Sequence, residues 1–106
     1  MPLRDEIAEL LRMPEDGAGA PSLDAIESKL TDGYAEALAL EAERTRLERR
    51  LGQVVRDAGD VSAHSVAAEL AELSERLDTA DGELARLRSL LRNLQARRRL
   101  ARSSRS

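Results

Sequence analysis

The chain is 106 residues long, has a formal net charge of −3, and contains 35% charged but only 1% aromatic residues. This length holds one domain, and with so little aromatic surface, leucine and alanine must supply most of the buried area. The chain has no cysteine and no stretch approaching the roughly 20 apolar residues of a membrane span, which excludes disulfides, thiolate metal sites and a transmembrane helix. We expect a cytoplasmic protein without membrane association. The preference for arginine over lysine favours a bacterial origin.

The amino-terminal segment, residues 1–12, predicts a short amphipathic helix. Its apolar residues share one helical face: Leu3, Ile7, Leu10 and Leu11. Residues 13–21 contain two prolines and two glycines, a composition that predicts a flexible linker. A helix of about 11 residues does not persist alone in water. It therefore either docks on the rest of the chain or waits for a partner, and the sequence leaves both alternatives open.

Residues 22–100 contain two runs of leucine and alanine at alternating spacings of three and four, a pattern typical of a coiled-coil seam. Ser22 and Ser62 are good N-caps for the two helices, and the turn near residues 58–62 contains a glycine followed by an aspartate. The sequence thus predicts an all-α fold, a long antiparallel helical hairpin that follows the short N-terminal helix. Residues 101–106 are expected to form a basic disordered tail. Because a two-helix seam is thin, we expect dimerisation, for example into a four-helix bundle.

Reversal of the chain at Gly59 pairs positions whose numbers sum to about 120. Predicted neighbours in the seam include Leu51 with Leu70, Leu40 with Ala80, and Gly33 with Leu87. Predicted ion pairs beside the seam are Arg50 with Glu69 and Glu43 with Arg76. Such exposed pairs are worth only about 0.2–1 kcal/mol each, so they adjust the register of the helices rather than hold the fold together.

Arg44 occupies a seam position where an apolar residue is expected. One interpretation is that its side chain reaches out to Glu41, Glu48 or Asp81 and thereby fixes the alignment of the helices. The other is that nearby acids form a patch for a basic partner, such as the C-terminal arm of another copy. The acids of that patch are Glu36, Glu41, Asp81 and Glu83.

The residue types that support catalysis or metal binding are scarce. His64 is the single histidine, and it has no cysteine and no second histidine at a zinc-ligand spacing. No histidine–carboxylate arrangement stands at motif spacing to activate a serine, and there is no glycine-rich phosphate loop. We therefore predict no enzyme activity, no metal site and no cofactor.

The C-terminal arm is strongly basic, with eight arginines and no acid between residues 85 and 106. The candidate residues for phosphate contacts are Arg97, Arg98, Arg99 and Arg102. Because no aromatic residue lies among them, binding to nucleic acid would be nonspecific and sensitive to salt. The alternative is that these cations stabilise the negative C-terminal end of the helix dipole.

The turn carries the string Arg-Asp-Ala-Gly-Asp-Val-Ser-Ala-His over residues 56–64. It resembles the hairpin tip of the Gre transcript-cleavage factors, bacterial proteins that insert a coiled coil into the secondary channel of RNA polymerase. On this resemblance Gly59 and Asp60 match the glycine and first acid of the family's tip, whereas Ala63 stands in place of the second acid. The resemblance therefore implies occupancy of the channel without transcript cleavage, and Asp57 with Asp60 would supply a two-acid tip. An ordinary hairpin turn is the alternative.

These observations favour a non-enzymatic coiled-coil module for protein–protein interaction, whose partner is a second copy or a larger protein. A regulator that probes RNA polymerase with Asp57 and Asp60 is the first alternative. A protein that binds nucleic acid through its C-terminal arm is the second.

Overall fold

The computed structural model describes residues 2–60 and 62–105, and it confirms the all-α helical hairpin. Helix α1 spans Pro2–Leu11, α2 spans Leu23–Arg56 and α3 spans Ala63–Arg105, with a 3₁₀ turn at Ala58–Asp60 between α2 and α3. The described residues contain no strand. None of the described helices is long and apolar enough to cross a membrane.

Both long helices begin at the serines that the sequence indicates. The Oγ atom of Ser22 accepts a hydrogen bond from the backbone N–H of Ala25 at 3.1 Å. The Oγ atom of Ser62 accepts one from the N–H of Ser65 at 3.2 Å. Each bond satisfies an N–H that the first helical turn leaves without a backbone partner, so each helix has a defined start.

Helix α3 continues through residues 101–105, where the sequence predicts a disordered tail. The Nη2 atom of Arg102 lies 3.2 Å from Oε1 of Glu27 on α2, which ties this last segment to the neighbouring helix. Arginines at the C-terminal end of a helix also stabilise its exposed carbonyl groups. The tail therefore has a local reason to remain helical.

The chain forms two compact units. Unit 1 contains the described residues up to Ala37 together with those from Ala85 onward, and unit 2 contains Leu38–Leu84. In unit 1, helix α1 docks on α2 and α3, which decides between the two alternatives left open by the sequence. Ile7 is completely buried there, and its Cδ1 atom approaches Gly33. The other buried apolar residues of unit 1 are Leu10, Ile26, Leu30, Leu87, Leu91 and Leu94.

Gly33 lies where the three helices of unit 1 meet. The nearest atoms to a Cβ built at this position belong to Leu91 of α3 and Ile7 of α1, not to Leu87 as the predicted register requires. Leu91, one helical turn beyond the expected neighbour Leu87, therefore fills the space that the missing side chain leaves. Helix α2 runs through Gly33 without a break.

The described residues of unit 2 form two long helical segments, the second part of α2 and the first part of α3, joined by the 3₁₀ turn. Its buried cluster consists of Leu47, Val54, Leu73 and Ala80, and the residues packed against this cluster are only partly buried. Those partly buried residues are Leu51, Val66, Leu70 and Leu77. With one seam and no third helix, unit 2 leaves much of its leucine surface accessible to solvent.

Two ion pairs in unit 2 confirm the register predicted near the turn. Nη2 of Arg50 lies 2.5 Å from Oε1 of Glu69. Nη2 of Arg76 lies 3.6 Å from Oε1 of Glu43. Near a short turn few registers are accessible, which is why the sum of 120 holds here.

Candidate interaction surfaces

Arg44 behaves as the first interpretation of the sequence predicts. Its Nε atom lies 2.8 Å from Oδ1 of Asp81 and 3.1 Å from Oε1 of Glu48, and its side chain is 45% exposed. The guanidinium thus leaves the seam and contacts carboxylates on both helices, as that interpretation requires.

The acidic patch predicted around Arg44 does not form as a set of unpaired carboxylates. Asp81 is bound by Arg44, and Glu41 and Glu83 also have interactions within the chain. Glu36 belongs to the other compact unit. A basic partner would therefore have to displace interactions already present.

These contacts divide the surface of unit 2 into two sides. The pairs Arg50–Glu69 and Glu43–Arg76 lie along one side, which we call the ion-pair side. Glu48 and Asp81 both bind Arg44, so they mark the opposite side of the hairpin. The charges on the ion-pair side are already paired within the chain. On the opposite side, charged residues give way to apolar ones toward the turn.

Toward the turn, the opposite side carries apolar and small residues in place of charges. Val55 follows Glu48 by seven residues, and Ala67 precedes Asp81 by fourteen, so both lie on the side of the hairpin that Arg44 marks. The Val55 side chain is 59% exposed. Leu51 and Leu70 are only partly buried beside it. We call Leu51, Val55, Ala67 and Leu70 the apolar surface.

Unpaired charges of opposite sign lie on the two helices that form the apolar surface. Arg49 of α2 and Glu75 and Asp78 of α3 are exposed, and their side chains make no ion pair with any described residue. Between residues 38 and 56, α2 carries five arginines and three glutamates. Between residues 63 and 84, α3 carries six acids and one arginine. Unit 2 is thus basic along one helix and acidic along the other.

Arg97 of the C-terminal arm is not available for phosphate binding. Its side chain is 8% exposed and lies in unit 1 against the end of α1. Its Nη2 donates a hydrogen bond to the carbonyl of Leu11 at 2.7 Å, and its Nη1 donates to those of Met13 and Pro14 at 2.9 and 3.1 Å. The guanidinium thus caps the carboxyl end of α1, where the helix dipole is negative.

The other arginines of the arm differ in exposure. Arg99 is exposed, whereas Arg98 is partly buried and its Nε–H has no hydrogen-bond partner among the described residues. Arg102 is exposed but is paired with Glu27. Two of the four candidates, Arg97 and Arg102, therefore have partners within unit 1. Sequence reasoning missed the role of Arg97, since the density of positive charge says nothing about which arginine faces a helix end.

At the turn, Asp57 is exposed and its backbone N–H donates to the carbonyl of Gln53 at 2.9 Å. The side chain of Asp60 lies outside the described part of the structure, so the predicted pair of acids is placed only in part. Ala63 is exposed at the start of α3.

Across residues 2–60 and 62–105, no group of three or more histidine, aspartate and glutamate residues could hold a metal ion. Lys29 forms a hydrogen bond to Glu6 of α1, which raises the pKa of the lysine and links α1 to α2. Comparisons with models of protein families, with curated proteins and with solved structures find no match to this chain.

Proposed function

We propose that this chain is a non-enzymatic, cytoplasmic module for protein–protein interaction, which acts by packing its helical hairpin against a second copy or a larger protein. Helix-on-helix association buries apolar stripes that a two-helix seam leaves accessible.

The observation that carries the proposal is the contrast between the two units. In unit 1, α1 lies on the other two helices and buries Ile7 and Leu10 against them. In unit 2, the described residues provide no third helix, and Leu51, Leu70 and Leu77 remain partly accessible. Burial of apolar area yields roughly 25 cal/mol per Å², so a helical partner that covered these residues would gain binding energy.

Light scattering of the full chain at tens of micromolar tests the proposal in its simplest form. A dimer or larger assembly that dissociates on dilution supports it. A cooperatively melting monomer at that concentration contradicts self-association, and the proposal then depends on a larger partner that binds unit 2. If the amide hydrogens of unit 2 also exchange as fast in host extract as in buffer, no partner covers this unit and the proposed interaction function is wrong.

The turn supports a second candidate function, regulation of RNA polymerase through its secondary channel. The supporting observation is the exposed carboxylate of Asp57 beside a tight 3₁₀ turn at the end of the hairpin. A purified-polymerase transcription assay with the full chain tests it, and an unchanged transcript pattern at saturating protein would rule it out.

Nucleic-acid binding through the C-terminal arm remains the third candidate. Exposed Arg92 and Arg99 support it, because they are charged and have no ion-pair partner among the described residues. Binding of a labelled DNA or RNA duplex in low salt, lost as the salt is raised, would be the expected signature.

A further inference from the structure

We infer that a second copy of this chain packs on the apolar surface of unit 2, with the two copies face to face and their turns at the same end. The inference rests on the proposed interaction function and adds the surface, the partner and the orientation. It concerns unit 2 alone.

The choice of surface follows from the two sides of the hairpin. On the ion-pair side, Glu43, Arg50, Glu69 and Arg76 satisfy one another, and covering them would remove water from charges at a cost. On the other side near the turn, Val55 is 59% exposed beside half-buried Leu51. In a chain with 35% charged residues, this uncharged area gains free energy from losing contact with water.

The choice of partner follows from the unpaired charges on the two helices that form the apolar surface. Two hairpins that meet face to face can be related by a two-fold axis along the helices or by one across them. The axis along the helices places α2 of one copy on α3 of the other. The axis across them places α2 on α2 and α3 on α3.

Only the first arrangement brings opposite charges together. Among the exposed charges of unit 2 that make no ion pair with a described residue, those on α2 are basic, Arg49 and Arg56, and those on α3 are acidic, Glu72, Glu75 and Asp78. Stacking α2 on α3 therefore pairs a basic helix with an acidic one twice over, and places Arg49 of one copy near Glu75 of the other. Stacking α3 on α3 would bring two rows of acids together, which is unfavourable. Unit 2 is thus complementary to itself in one orientation, with the turns side by side.

Substitution at the centre of the surface tests the inference. Val55→Glu in the full chain should weaken self-association at least tenfold in sedimentation equilibrium, because it places a charge on each copy in the buried area. Gln53→Glu is the matched control: it adds the same charge two residues away at another exposed position of α2, and should leave association unchanged. Equal effects of the two variants would overturn the inference.

A charge exchange tests the pairing of α2 with α3. Arg49→Glu should weaken the dimer, and Arg49→Glu combined with Glu75→Arg should restore it toward the original affinity. Circular dichroism of each variant shows that the helices are intact, since all of these side chains are exposed. A double variant that associates no better than the single one would contradict the proposed contact.

The orientation is measured with a spin label, because the chain has no cysteine of its own. With the label on Thr79→Cys, an exposed position of α3 away from the turn, the proposed dimer separates the two labelled backbones by about 14 Å, the diagonal of a four-helix bundle with helices about 10 Å apart. The opposite orientation, with its two-fold axis at the apolar surface, separates them by about 35 Å, because residue 79 lies about 11 residues along α3 from the middle of that surface. A dimer with the long distance, or one insensitive to Val55→Glu, keeps the proposed function but refutes this inference. A monomer in every experiment refutes the inference and the self-association on which it rests.

Discussion

Gly33 of α2 and Leu91 of α3 are in contact so close that a Cβ on the glycine would overlap the Cδ2 methyl group of the leucine. The same Cβ would lie 3.6 Å from Cδ1 of Ile7, so the glycine determines how all three helices of unit 1 meet. A sequence pattern alone marks this residue as a weak point in a helix, whereas the structure makes it a packing requirement.

The first prediction compares the two glycines of the long helices that differ most in their surroundings. Gly33→Ala should destabilise the protein by about 1–3 kcal/mol, because Leu91 must leave its place. Gly82→Ala should stabilise it by about 0.5–1 kcal/mol, because no atom lies within 4 Å of its Cβ and alanine favours the helix. Urea denaturation followed by circular dichroism measures both, and a stabilising Gly33→Ala would show that α1 and α3 can move apart freely.

The second prediction concerns the hydrogen bonds of Arg97. Arg97→Met should cost about 2–4 kcal/mol, because three backbone carbonyls at the end of α1 lose a charged donor. Arg99→Met, an exposed neighbour, should change the free energy of unfolding by no more than about 0.5 kcal/mol. Amide exchange should show that α1 loses protection in the first variant but not in the second. If α1 keeps its protection in Arg97→Met, its apolar contacts are sufficient to hold it on α2 and α3 without the hydrogen bonds of Arg97.

The third prediction concerns the arginine in the seam. Arg44→Leu should raise the melting temperature, because leucine buries more apolar area there and the carboxylates left behind, Glu48 and Asp81, are about half exposed and readily hydrated. The same variant should broaden the distribution of oligomers in native mass spectrometry, since the polar contact that fixes alignment is gone. A clear loss of stability would show that the two carboxylates depend on Arg44.

The fourth prediction concerns the turn. If the hairpin acts on RNA polymerase, Asp57→Asn with Asp60→Asn should abolish any effect on transcription and leave helicity unchanged. Arg92→Glu with Arg99→Glu should leave that effect intact. If the chain instead binds nucleic acid, the second pair removes binding and the first pair retains it with the same dependence on salt. Insensitivity to both pairs would assign the contact to the helical faces.

The sequence predicts those features of the fold that depend on neighbours along the chain. Heptad spacing gives the seam, and Ser22 and Ser62 give the starts of the helices, because a cap requires only the residues that follow it. Near the turn, the register that pairs Arg50 with Glu69 follows from the short connection between the helices, which allows few alternatives. At Gly33 the packing also involves α1, a segment whose docking no periodicity encodes, and there Leu91 rather than the expected Leu87 lies nearest.

The candidate surfaces were harder to predict, for a related reason. The sequence shows a basic arm but does not distinguish Arg97, which is buried against carbonyl groups, from Arg99, which is exposed. Likewise, the sequence shows Val55 as one of many apolar residues in α2. The contacts of Arg44 then assign it to the side of the hairpin opposite the ion-pair side. Both assignments depend on contacts between residues far apart in sequence.

The hydrogen bond from Arg97 to the carbonyl of Leu11 joins residues 86 positions apart. During synthesis α1 leaves the ribosome before the guanidinium that caps it, which follows 86 residues later. Until then α1 has neither its cap nor the α3 leucines on which it packs, and a helix of ten residues is unstable alone. The nascent chain therefore exposes the apolar face of α1 until this part of α3 has been made, and α1 can dock only after that.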